Sequence, residues 1–94
     1  LGGNIELKGV KDLDGGELII LKKIIGNYTK QITDNHENFE KFSFHLKKIS
    51  REENKCEMSG ILLLNGKEYN ADSIDTNIFF GLSQVLQKLN NKIK

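Results

Sequence analysis

The stretch Ile61-Leu62-Leu63-Leu64-Asn65-Gly66-Lys67-Glu68-Tyr69-Asn70-Ala71-Asp72 decides the fold. Asn65-Gly66 sits between two strand-like runs. The two-residue turn whose twist matches its flanking strands needs positive φ at its centre, which Asn and Gly tolerate best. A two-residue turn also fixes the register: Leu64 opposes Lys67, Leu62 opposes Tyr69 and Gly60 opposes Ala71. Because side chains alternate along a strand, Met58, Gly60, Leu62, Leu64, Tyr69, Ala71 and Ser73 then share one face of a sheet.

Upstream, Ile5, Leu7 and Gly9 alternate with Glu6 and Lys8, which predicts a short first strand within Asn4 to Val10. Asp14 followed three residues later by Glu17 forms a capping box. The Asp oxygen accepts an orphan amide, the Glu reaches back, and Leu13 and Leu18 are placed to staple the turn. Leu18, Leu21, Ile25, Tyr28 and Ile32 recur at spacings of three and four, so a first helix carries them on one stripe and ends near Thr33. Asp34 to Asn38 reads as a loop. Phe42, Phe44 and Leu46 alternate with Ser43, His45 and Lys47 in a second strand, and Arg51 to Asn54 reads as a charged turn into the hairpin. Beyond it, Asp75 or Thr76 is placed to cap a second helix carrying Ile78, Leu82, Val85, Leu89 and Ile93 at helical spacing. Gly81 interrupts that pattern where the helix backbone is expected to approach the sheet.

The order is βαβββα over residues 1–94, an α+β single domain with one four-stranded, largely antiparallel sheet. Two amphipathic helices each need an apolar surface, so both are expected on the face that carries Met58, Leu62, Leu64 and Tyr69. A chain of 94 residues hides only about 60 to 65% of its unfolded surface, which leaves no room for a deep enclosed active site. Leu1-Gly2-Gly3 is assigned no role in the fold. No apolar run is longer than the four residues of Leu18 to Leu21, far short of the roughly 20 residues of a membrane helix. That absence and the single cysteine, Cys56, suit a cytoplasmic, reducing location.

Charge is the functional signal. The net charge is only +1. Residues 18–33 nevertheless hold Lys22, Lys23 and Lys30 with no acid, and residues 76–94 hold Lys88, Lys92 and Lys94 with no acid. These helices forgo the Glu-Lys pairs at i, i+4 that stabilise helices by about 0.2 to 0.5 kcal/mol each, as if repulsion of an anion were being avoided. Lysines placed this way suit nucleic-acid phosphates, each contact releasing a counterion.

Other chemistry finds little support. His45 lies on a strand facing away from Phe42 and Phe44, as a surface residue or partner contact does, and His36 lies in a loop. Cys56 has no second cysteine and no clustered histidine, so no metal site or cofactor is expected. Gly15-Gly16 lacks the ending of a phosphate loop, and Asp75 is better explained as a cap than as half of a carboxylate pair. The chain is therefore expected not to be an enzyme. A double-stranded RNA-binding domain would place a lysine cluster at the start of the last helix, where Thr76 to Leu82 has none. A competing reading uses the second sheet face: Ile61 and Leu63, with His45 beside them, could pair two copies face to face without any nucleic acid. Ile20 and Phe80 add exposed-looking apolar positions on the helices.

The block Leu64-Asn65-Gly66-Lys67, Asn70-Ala71-Asp72, Asn77-Ile78-Phe79-Phe80-Gly81-Leu82 and Lys88-Leu89 resembles the hairpin and final helix of the ribosome hibernation-promoting, sigma-54-modulation family. That family shares the βαβββα order. Its pattern there is hydrophobic-Asn-Gly, His-Ala-Glu, Asp-Met-Tyr-x-Ala-Ile-Asp and Lys-Leu, so the match covers about 40 residues, by type as often as by identity. Asn77 and Ser83 stand where the family has Asp, and Asn91 where it often has Arg. The resemblance implies binding to ribosomal RNA of the small subunit and modulation of translation, with Lys88 and Lys92 on phosphates.

Overall fold

The computed structural model describes residues 4–11, 13–50 and 52–93. Its elements are β1 (Ile5–Lys8), α1 (Gly15–Asn35), β2 (Phe39–Ser50), β3 (Lys55–Leu64), β4 (Lys67–Asp75) and α2 (Ile78–Ile93). They form one four-stranded sheet in the order β1-β2-β3-β4, with β1 parallel to β2 and the other pairings antiparallel. The α+β architecture and the βαβββα order expected from the sequence are both present.

The hairpin register is the predicted one: Leu64 pairs with Lys67, Leu62 with Tyr69 and Gly60 with Ala71. Asn65 and Gly66 have φ of 55° and 76°, the left-handed conformation such a turn demands. A neighbouring strand braces the turn. Asn65 N–H donates to the Asn38 carbonyl at 2.8 Å, and Gly66 N–H donates to a Glu40 carboxylate oxygen at 2.8 Å. These contacts explain why β2 starts at Phe39, three residues before the Phe42/Phe44 alternation. Phe39 pairs with Leu64, and a bulge at Glu40 interrupts the alternation that marks the rest of the strand.

The capping box of α1 is formed, with Glu17 N–H donating to Asp14 Oδ1 at 2.7 Å and Asp14 N–H to Glu17 Oε1 at 3.2 Å. The helix runs two residues past Thr33 to Asn35, and His36 N–H closes the last turn on the Ile32 carbonyl at 2.8 Å. The cap of α2 differs from expectation. Asn77 Oδ1 accepts from Phe79 and Phe80 N–H at 2.9 and 3.0 Å, while Asp75 Oδ1 accepts from Asn77 N–H. Because the helix begins at Ile78, the capping position falls on Asn77, and Asp75 instead orients the capping residue.

Both helices cover one sheet face. Leu21, Ile25, Tyr28 and Ile32 from α1 and Leu82, Val85, Leu86 and Leu89 from α2 form one core with Phe42, Phe44, Met58, Leu62, Leu64 and Ala71. Two glycines let α2 descend onto β3. A β-carbon on Gly81 would collide with the end of Met58, lying 2.6 Å from its sulfur, and one on Gly60 would lie 2.7 Å from Val85 Cγ1. The helix-breaking residue of the sequence is therefore a contact residue of the fold.

Candidate nucleic-acid interface

The helix lysines separate into two groups. Lys22, Lys23 and Lys30 are exposed on α1, away from its buried stripe. Lys88 and Lys92 are also exposed, yet they do not join α1 in a common outer layer. Lys88 Nζ donates to the Asp72 carbonyl at 2.7 Å, and Lys92 Nζ donates to the carbonyl of Asn70. Both acceptors belong to β4, the last strand of the sheet, whose outer side has no strand partner among the described residues. The five described helix lysines thus form two groups, one on the surface of α1 and one wrapped over the β4 edge. The reason is angular, since positions 88 and 92 fall on the flank of α2 that faces β4. Lys94 lies outside the described residues.

Behind the β4 cluster is an open groove of about 450 Å³, lined by Ser59, Ile61, Asn70, Asp72, Lys88 and Lys92. The two ammonium groups sit where the helix layer meets the open face of the sheet. Their carbonyl partners are neutral, so both positive charges remain available to an anion.

Ion pairing sharpens the contrast between helices and strands. Among the described residues the ion pairs are Lys8–Glu6 at 3.0 Å, Lys41–Glu6 at 2.8 Å and Lys55–Glu53 at 2.9 Å. None involves a helix lysine. Hydrogen bonds and charge from Lys41 and then Lys8 hold the Glu6 carboxyl at about 2, far below its ordinary range. Lys55 likewise holds Glu53 low, and is itself raised by it. The sequence reading missed the Glu6 cluster because it depends on β1 pairing with β2 across the whole of α1, a contact no local pattern encodes.

The open sheet face carries His45, Ile61 and Leu63, as the register requires. All three are half-buried. Charged Lys8, Lys41, Lys47, Glu57 and Glu68 share this face, so its apolar part is narrow beside the roughly 800 Å² that each partner contributes to an ordinary stable interface. Ile74, 56% exposed, adds to this face, and apolar side chains are exposed on the helices as well. Phe80 is 57% exposed and Ile20 48%, as the sequence indicated, and Ile19 at 68% adds a position it did not single out. Ile19 follows the stripe residue Leu18, and one residue further along a helix turns the side chain by 100°, out of the core.

Cys56 is buried and free on the helix-side face. It lines a cleft of about 620 Å³ into which both helix starts open, through Leu13 and Glu17 from one side and Ile78 and Phe79 from the other. Among the described residues no group of three His, Cys, Asp or Glu side chains is placed to hold a metal ion, and no helix is long and apolar enough to cross a membrane.

Against solved structures, the chain is similar to a ribosomal subunit interface protein from Coxiella burnetii, with a TM-score of 0.61 over 94% of this chain and 90% of that one. The two share this fold. Sequence identity is 12%, so the likeness lies in the path of the backbone. No family model matches the sequence, and comparison with curated proteins gave no match. The fold implied by the resemblance of the hairpin and last helix to the hibernation-promoting family is the fold found. The likeness extends through β1, α1 and β2, where the sequence resembles that family only in element order.

Proposed function

We propose that this chain is a non-enzymatic RNA-binding domain that associates with the small ribosomal subunit and modulates translation. The observation that carries the reading is the segregation of its charges. Of the described lysines outside the helices, Lys8, Lys41 and Lys55 have a glutamate partner while Lys11, Lys47, Lys48 and Lys67 have none among the described residues; of the five described helix lysines none has an acidic partner. Charges kept free on two rigid helices form an electrostatic footprint for a phosphate backbone. The fold shared with a ribosomal subunit interface protein supports a ribosomal partner, and such a partner would place the protein in the cytoplasm.

In this reading Lys22, Lys23 and Lys30 form one contact and Lys88 and Lys92 a second, with Lys94 adding to the latter. Co-sedimentation with purified small subunits at low and moderate salt tests it. Binding should survive moderate salt in the wild type, and Lys22→Glu/Lys23→Glu should reduce it at least tenfold. Absence of binding at both salts would refute the reading and favour self-association through Ile61, Leu63 and His45, which a concentration-dependent mass would reveal.

A further inference from the structure

Lys88 meets Asp72 through the backbone and leaves its carboxylate alone. The ammonium donates to the neutral Asp72 carbonyl at 2.7 Å, and among the described residues no cation pairs with the acid itself. Ala71 and Ser73 are buried on the helix side, where Ser73 Oγ donates to Gln84 of α2, so Asn70 and Asp72 project onto the open sheet face. Their carbonyls point outward to the two lysines. In an antiparallel ladder this makes Asp72–Ser59 and Asn70–Ile61 the non-hydrogen-bonded pairs, whose Cα atoms lie only about 4.5 Å apart. Asp72, Ser59 and Asn70 therefore stand together in the groove of about 450 Å³ whose rim carries Lys88 and Lys92.

Cations on the rim and an acid inside divide the groove between two kinds of group. A phosphate is drawn to the rim and repelled from the interior, where the carboxylate can only accept a hydrogen bond. The carbonyls that anchor the lysines are two strand residues apart, about 6.8 Å, a separation that suits successive phosphates of one strand. Each ammonium has three N–H groups and spends one on its carbonyl, which leaves two for a phosphate oxygen. Between two successive phosphates lies one sugar. In RNA that sugar carries a 2′-hydroxyl that can donate to a carboxylate, and in DNA it carries no such group. A surface built only to attract phosphates gains nothing from an unpaired acid between its two lysines.

We infer that this groove reads ribose: Lys88 and Lys92 hold two successive phosphates of one RNA strand at the β4 edge, and the Asp72 carboxylate, beside Ser59 and Asn70, accepts a hydrogen bond from the 2′-hydroxyl between them. This rests on the RNA-binding reading above and adds to it a selection of RNA over DNA, made by Asp72.

Fluorescence anisotropy at low salt, with one mixed-sequence single strand in three forms, tests it. The forms are ribo, deoxy with deoxyuridine for thymidine, and 2′-fluoro, which keeps the ribo sugar shape but has no donor. Filter retention of deproteinised small-subunit ribosomal RNA is measured on the same protein. The wild type should bind the ribo strand about 5- to 20-fold more tightly than either of the others, the effect of one solvent-exposed hydrogen bond to a charged group. Asp72 is exposed and its carbonyl is kept in Asp72→Ala, so that variant should fold and bind all three strands alike. Lys22→Glu/Lys23→Glu should weaken all three and preserve their ratio. Retention of ribosomal RNA with equal affinity, or none, for the three strands would overturn the ribose site and leave the RNA-binding reading intact. So would a ribo preference that persists in Asp72→Ala or extends to the 2′-fluoro strand. Failure of the wild type to retain ribosomal RNA or to bind any strand would overturn both.

Discussion

Lys88 Nζ lies 2.7 Å from the carbonyl oxygen of Asp72, and one helical turn later Lys92 meets the carbonyl of Asn70. The pairing rests on a match of repeats. Four residues of helix rise about 6 Å and two residues of strand about 6.8 Å, so a helix running antiparallel to β4 meets every second strand residue with every fourth of its own. Nearer the start of α2 the helix still follows β4 but without that step, Gln84 Oε1 accepting from Ser73 Oγ at 2.6 Å and Gly81 lying beside Asp75. An edge strand is thereby covered by two charges, a recognised means of blocking edge-to-edge pairing. Lys88→Ala/Lys92→Ala should lower stability by about 1 to 2 kcal/mol for two exposed hydrogen bonds and produce concentration-dependent association in sedimentation velocity. A strictly monomeric double variant of unchanged stability would show that the lysines do not guard the edge. Because they have this second role, a loss of RNA binding on their replacement is informative only beside a measurement of folding.

The α1 lysines carry no such complication. Lys22 and Lys23 have no acidic partner among the described residues and no contact with the sheet edge. Lys22→Glu/Lys23→Glu should therefore leave the unfolding midpoint within about 0.5 kcal/mol of wild type. If each lysine meets a phosphate, the slope of log affinity against log salt should flatten by about 1.4 to 1.8. An unchanged slope would remove this face from the proposed RNA interface.

The hairpin was legible because its determinants are adjacent: Asn65-Gly66 sets the turn, and the turn sets the register of seven inward positions. The capping box at Asp14 and Glu17 was legible for the same reason. Less local features were not. Asn77 rather than Asp75 caps α2 because the choice depends on where the strand stops, and the start of β2 is set by bonds from the distant turn to Asn38 and Glu40. For the site, sequence identified which lysines lack acids nearby in the chain. The division of those lysines between α1 and the β4 edge came only with the placement of α2 beside the last strand.

Gly81 poses two opposed effects. Alanine in a helix interior gains up to about 1 kcal/mol over glycine, whereas an added carbon here would lie 2.6 Å from the Met58 sulfur and 3.4 Å from Asp75 Cβ. Met58 is fully buried and can yield only by displacing other core groups, at about 1 to 3 kcal/mol. Packing should win, with Gly81→Ala destabilised by about 1 to 2 kcal/mol in denaturant unfolding. The double variant Gly81→Ala/Met58→Ala should recover part of that loss relative to Met58→Ala alone, and additivity would refute the contact.

Tyr28 packs its ring against Phe42 at a centroid separation of 5.6 Å, but its buried hydroxyl has no hydrogen-bond partner among the described residues. Burial pushes its ionisation up to about 12. An unsatisfied buried hydroxyl costs about 1 to 3 kcal/mol, so Tyr28→Phe should keep the ring contact and leave stability unchanged or raise it by up to about 1 kcal/mol. A loss above 1 kcal/mol would indicate that the hydroxyl makes a bond in solution.

Glu6 gives the fold an acid-side pH dependence. Lys41 and Lys8 depress its folded-state ionisation from the ordinary 4.5 to about 2. A carboxyl with a depressed folded value binds protons more readily when unfolded. Its stabilising contribution is complete above about pH 4.5 and is lost as the pH falls through about 2. The group is open to solvent, so the contribution is small and should shrink further in high salt. Its place matters more than its size, since the Glu6–Lys41 contact at 2.8 Å ties β1 to β2, the one parallel junction of the sheet. In Glu6→Gln, the fall in unfolding midpoint between pH 4.5 and 2 should be shallower than in the wild type, and the two curves should converge at the acid end. Curves that stay parallel throughout would mean that the pair holds no more firmly in the folded chain than in the unfolded one.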